Sequence, residues 1–264
     1  MSARVLGVVL RRQLADQRRT VLLWGLSLGA MGAFMAAIFP SIQDALSKLV
    51  KSYPSGLIQA FGVGDLSTVE GYVHAEMFSV IVPLAIGYLA VRSMANPIAA
   101  GEESGYLDTL LTLPLPRRLL MASTFLSAAV VSAGVLLLTG LLTFVSGRIA
   151  GTGIALDRTL EGVLGAWALA VFAAGVAAAA CGALHHGRSV IGIGMGTLVA
   201  MYAVDVAGRL SGSVEFLRNV SAFRYYGAPL RDGLDTGGFF LLLAVGAALA
   251  AVGVALFRRR DILR

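Results

Sequence analysis

Six stretches of this chain are apolar over lengths that match a bilayer. They run over residues 21–39, 77–95, 119–145, 160–184, 189–207 and 239–257. A hydrocarbon core of about 30 Å needs about 20 mostly apolar helical residues, so each stretch predicts one transmembrane helix. Composition agrees: 57% of the 264 residues are hydrophobic and 14% charged, against roughly 45–50% and about 25% in soluble domains. The expected fold class is an all-α membrane protein, with an N-terminal interfacial amphipathic helix plus six transmembrane helices. Residues 1–264 read as a single transmembrane domain, with little chain left for a separate extramembrane one.

Basic residues set the orientation, because cytoplasmic loops carry the excess of Lys and Arg. With the N-terminus inside, the cytoplasmic pieces hold thirteen arginines against five acids, and the outer pieces hold eight basic residues against ten acids. Both termini are then cytoplasmic, and the net charge of +6 faces the cytoplasm rather than nucleic acid. Lys48 and Lys51 are the only lysines in a chain rich in Ala, Gly and Val, which points to a bacterial source and hence to the cytoplasmic (inner) membrane. Cys181 is the single cysteine, so no internal disulfide forms. The basic stretch 1–19 is long and its apolar run span-length, so an uncleaved first span is expected rather than a signal peptide.

Residues 1–19 predict the interfacial helix. At 100° per residue Leu6, Val9, Leu10 and Leu14 share one face, while Arg4, Arg11, Arg12, Arg18 and Arg19 share the other. Leucines at the acyl boundary with arginines at anionic headgroups hold such a helix flat. Outside, residues 40–76 and 208–238 predict long loops and 146–159 a short one. The run Phe223-Arg224-Tyr225-Tyr226 in the last loop suits the membrane interface.

The cytoplasmic loop over residues 100–118 (flanked by the second and third spans) is the most informative. Leu107, Leu110 and Leu111 are spaced i, i+3, i+4 and make one apolar stripe, and Pro114 and Pro116 end the helix that carries it. Glu102, Glu103 and Asp108 precede or join that stripe, and Arg117 and Arg118 follow it. An acidic amphipathic helix is repelled by the negative inner leaflet, so a protein partner with a groove is its expected occupant.

The order Glu102 or Glu103, Gly105, Leu107, Asp108, Leu110, Leu111, Pro114 and Arg117 resembles the coupling helix of ABC-2 type transporter permeases, also called type V exporters. Tyr106 and Pro116 depart from that pattern, where Thr and Ser or Thr are frequent. The layout matches too, from the N-terminal helix to the Phe257-Arg258-Arg259-Arg260-Asp261-Ile262 tail. The resemblance implies a dimer of permease subunits, homodimer or heterodimer, and a separate ABC ATPase subunit docked on residues 100–118. ATP and Mg would sit on that ATPase, with no cofactor on this chain. It further implies outward movement of an apolar or amphipathic substrate such as a drug, antibiotic, peptide or lipid, without catalysis by this chain.

The remaining motifs agree with that expectation. No Gly-x-x-x-x-Gly-Lys-Ser/Thr loop is present. Gly192-Ile193-Gly194-Met195-Gly196 lies inside a span, so it reads as helix packing rather than as a dinucleotide loop. Gly192 with Gly196, and Gly25 with Gly29, have the spacing that lets helices approach closely in lipid, either at a dimer interface or within one subunit. Pro83 falls inside the second span and should kink it, either for gating or as a static bend. Asp205 lies near the outer end of the fifth span, one turn before Arg209, as a surface-level pair or a pathway residue. Glu161 suits a helix N-terminus. His185 and His186 read as an exposed loop pair with no metal set around them. Two other classes stay open. An ion-coupled secondary transporter would need mid-membrane carboxylates, which the spans lack; a non-transporting scaffold or sensor subunit would also use the acidic loop.

Overall fold

The computed structural model describes residues 2–52, 66–103 and 116–259. No strand occurs among them, and six helices are long and apolar enough to cross a membrane. Helix α1 is Ser2–Asp16, and α2, the first crossing, is Arg18–Ser52. The short α3, Val69–Val73, passes into a π-helical turn His74–Phe78. The second crossing, α4, starts at Ile81 and continues through a π-helical turn, Asn96–Ala100, to Glu103. Next come α5 (Arg117–Ile149), α6 (Leu156–Ala183) and α7 (Gly187–Leu210). A 3-10 helix, Gly212–Val220, and two short helices, α8 (Ala222–Tyr226) and α9 (Pro229–Asp232), lead to α10 (Thr236–Arg259). The crossings alternate in direction. Helix α1 and the end of α10 therefore share one end of the bundle, called the terminal end below; the opposite end is the far end.

Helix α6 is the centre, packed against α4, α5, α7 and α10, while α2 lies mainly on α5. Lipid offers no hydrophobic drive between helices, so small residues that bring backbones together decide who packs on whom. Gly175 and Gly182 of α6 face Gly246 and Gly253 of α10, two pairs seven residues apart on each helix. A Cβ on Gly246 would sit 2.8 Å from the Val171 carbonyl oxygen. Trp167 of α6 donates its indole N–H to the Ala129 carbonyl of α5 at 2.9 Å.

Several boundaries differ from the sequence expectation. Residues 40–52 are helical, not loop: Pro40 removes one ladder bond without ending α2. Ile42 and Leu46 extend the inward stripe of Ile38, and a 35-residue helix reaches about 50 Å, well beyond the bilayer core. The second crossing begins at Ile81, not residue 77. Pro83 has no N–H for the Ser79 carbonyl, and the chain breaks there, with Val80 at φ −134°, ψ −54°. Pro83 thus stands in the first turn of α4 rather than at an internal kink. The far-end loop over 208–238 is structured, and Phe223 and Tyr226 are buried in protein instead of lying in lipid. Phe223 packs edge-on against Tyr202 and Tyr226.

Candidate functional site

The acids that open the 100–118 loop are engaged within the chain. Glu102 is nearly buried, its Oε1 3.8 Å from His185 Nε2. Glu103 Oε2 accepts from the Gly187 N–H at 3.3 Å. Gly187 is the first residue of α7, where backbone N–H groups lack helical partners. His185 is therefore not the exposed loop residue expected from sequence; only His186 is exposed. At the exit of the loop, the Arg117 guanidinium lies 5.9 Å from the centre of the Phe257 ring near the end of α10, within cation–π range. Gly105, Leu107, Asp108, Leu110, Leu111 and Pro114 lie outside the described residues.

Asp205 is buried, 1% exposed, so it is not the surface-level pair that its position suggested. Its Oδ2 takes Arg209 Nη2 at 2.6 Å, and its Oδ1 takes Arg218 Nε at 3.0 Å. Arg218 comes from the 3-10 helix, and its aliphatic stem crosses α7 over Gly208, where a Cβ would collide with it. Ser221 Oγ adds a bond to the Met201 carbonyl at 2.7 Å. The far end of α7 is thereby strapped by the chain that follows it. Spacing within the span shows Arg209; Arg218 is thirteen residues away and no local signal marks it.

The two Gly-x-x-x-Gly pairs separate. Gly25 and Gly29 hold Leu138 and Leu142 of α5 inside this chain, whereas a Cβ on Gly192 or Gly196 would meet nothing. Around them Ser189, Ala200, Ala203 and Ala207 are also exposed, with Ile193 and Val199 as the larger exposed residues beside them. Glu161 stands in the second turn of α6 and pairs with Arg158 at 3.3 Å.

Other groups had no signature in the sequence. Gln17, between α1 and α2, donates to Ser127 Oγ at 3.2 Å and accepts from Ser93 Oγ at 2.9 Å, and so bridges α5 and α4. Gln13 donates to Thr124 Oγ1 at 3.0 Å. Helix α1 is thus bolted to α5 by amides, beside the expected leucine face. At the far end, Tyr226 donates its hydroxyl to the Phe78 carbonyl at 2.7 Å, and burial pushes that phenol's pKa up. The Ala155 N–H donates to Glu70 Oε1 at 3.0 Å. His74 is buried in the π-helical turn, and its Nδ1 has no hydrogen-bond partner among the described residues. Burial first, then the Arg231 guanidinium, hold its pKa down at about 4; Arg231 in turn pairs with Asp232 and lowers the pKa of that carboxyl. Among the described residues no group of three or more His, Cys, Asp or Glu could hold a metal.

Residues 5–258 match the family model described as "Multidrug efflux system permease Rv1217c, C-terminal domain". No curated protein matches the chain.

Proposed function

The chain belongs to the family of the multidrug efflux system permease Rv1217c, C-terminal domain, and from that premise we propose that it is the transmembrane permease subunit of an ATP-driven ABC-2 type exporter. The observation that carries this reading is the extent of the match. It runs through all six crossings and through the 100–118 loop, whose residue order resembles an ABC-2 coupling helix. A separate ATPase subunit, holding ATP and Mg, docks on the 100–118 loop, with Leu107, Leu110 and Leu111 as its apolar contact. Both termini and that loop lie on the cytoplasmic side of the inner membrane, where the arginines concentrate.

Two permease subunits, identical or not, pair through the open Gly192 and Gly196 face of α7. Gly25 and Gly29 serve packing within one subunit. The substrate class follows the family's name: a drug or another apolar or amphipathic compound, moved outward by rigid-body tilting of helices. Pro83, in the first turn of α4 just after the break at Val80, and Asp205, at the strapped end of α7, are the proposed gating positions.

The test is co-purification from membranes with a phosphate-loop ATPase, sought first in the neighbouring reading frames. Leu110→Asp with Leu111→Asp should abolish assembly and leave membrane insertion intact. Assembly that survives the double substitution removes the loop as the docking element.

A further inference from the structure

The terminal end of α4 and the first turn of α7 form one rigid joint. His186, the residue before α7, provides no side-chain cap, and an acid from another helix takes its place: Glu103, on the Gly187 N–H. A carboxylate at that position faces the positive end of the helix dipole. Beside it Glu102 meets His185, two residues before Gly187. Beneath them the backbones touch, because a Cβ on Gly187 would lie 2.9 Å from the Ala100 Cβ. Further in, Cys181 Sγ reaches the Met94 carbonyl at 3.6 Å. The other side of the loop leans on α10 through Arg117.

Elsewhere α7 is thinly held. Toward α4 it packs Leu198 against Gly87 and Gly194 against Val91, and at its far end it is strapped by Asp205 and Arg218. A displacement of α4 at Glu103 therefore reaches α7 directly at its N-terminus. Two packed helices with discrete contacts transmit such a shift without melting.

We infer that Glu102 and Glu103 are positioning residues, which grip the α6–α7 turn and carry movement of the loop that follows them into α7, rather than residues that contact the ATPase. The inference rests on the permease reading. It changes the role of these two acids from docking to transmission. It also assigns His185 and Gly187, neither of which belongs to the loop motif, to the same device. Evidence of coupling, not proximity alone, is what establishes such a link.

The experiment uses the full permease–ATPase complex in nanodiscs. Leu210→Cys places a thiol at the exposed last residue of α7, fourteen residues past Gly196 and beyond the proposed dimer face, while Cys181 stays buried. The rate of labelling by a maleimide is measured with and without ATP plus vanadate, which traps ADP in the ATPase after one hydrolysis. In the otherwise wild-type complex, trapping should change the rate by about fivefold or more. With Glu102→Ala and Glu103→Ala, the ATPase should still co-purify and hydrolyse ATP, and the labelling response should vanish. Joining Ala100→Cys to Gly187→Cys by oxidation before labelling should restore it. Glu103→Gln, which keeps an acceptor for the Gly187 N–H, should retain the response, and it tests the joint even if the double alanine variant accumulates poorly. The inference is overturned if the alanine variant loses the ATPase, if its labelling still responds, or if the disulfide fails to restore the response. Failure of the wild-type chain to bind the ATPase sinks the permease reading instead.

Discussion

Helices α6 and α7 are neighbours in sequence, joined by a short turn, and both are rich in small residues, yet they are held in opposite ways. The most apolar stretch of α6 is 78% buried and that of α7 22%. Glycines of α6 meet glycine backbone on α10, so contact is continuous along the helix. Those of α7 at Gly192 and Gly196 face nothing, and the helix is fixed chiefly at its ends by charge: Glu103 at its start, Asp205 with Arg209 and Arg218 at its finish. Shape complementarity along a helix makes a static post. Charge at two ends, with Leu198 on Gly87 and Gly194 on Val91 between them, leaves the outer side of α7 without a partner in this chain. A bundle that must move helices against one another needs both kinds.

The largest effect should come from breaking the charged end of α7. Asp205→Ala leaves two arginines around an empty buried site, and removing one partner of a buried pair costs about 3–5 kcal/mol. A much lower apparent Tm in detergent, with new tryptic cleavage at Arg218, is the expected outcome. Unchanged stability would mean that the strap does not hold α7. Gly246→Leu attacks the post instead. Overpacking a close contact costs about 1–3 kcal/mol, and here the added side chain meets backbone, so loss of monodisperse protein on gel filtration is expected.

Acid should act on the far-end layer and spare the glycine contacts. The pKa of His74 is about 4 in the folded protein against an ordinary 6.5, so between those values the unfolded chain binds the extra proton. Stability is full above pH 6.5 and falls as pH drops through that window to about 4. Wild type should therefore lose more Tm than His74→Phe between pH 7.5 and pH 4.5, with equal losses counting against a buried neutral imidazole. The smallest effect on the fold should be Gly192→Leu, within about 0.5 kcal/mol for an open surface position. Cross-linking should nonetheless show fewer dimers; dimers at the wild-type level would remove this face from the proposed interface.

The six crossings were legible because a bilayer imposes length and hydropathy residue by residue, and 21–39 or 160–184 carries that signature without help from the rest of the chain. The paired glycines Gly25 and Gly29 were legible as packing signals but not as to partner, since Leu138 and Leu142 lie over a hundred residues away. Asp205 looked superficial because its sequence neighbour Arg209 accounts for only half of its pairing. The residues 40–52 and 69–76 looked like loop because a hydropathy scan ends at the edge of the bilayer, whereas a helix continues as long as its side chains find partners, as Ile42, Leu46 and Tyr72 do.

From sequence alone came the solvent, the number of crossings, the charge asymmetry and the loop motif. Each depends on local composition and on a period that neighbours in the chain already display. Tertiary structure alone decided that Glu102 turns inward to His185 and Glu103 reaches the first N–H of α7, that Arg218 completes the pairing of Asp205, and that one glycine pair is filled while the other stands open. Those outcomes depend on which distant backbone comes within a few ångströms, and no periodicity along the chain encodes that distance.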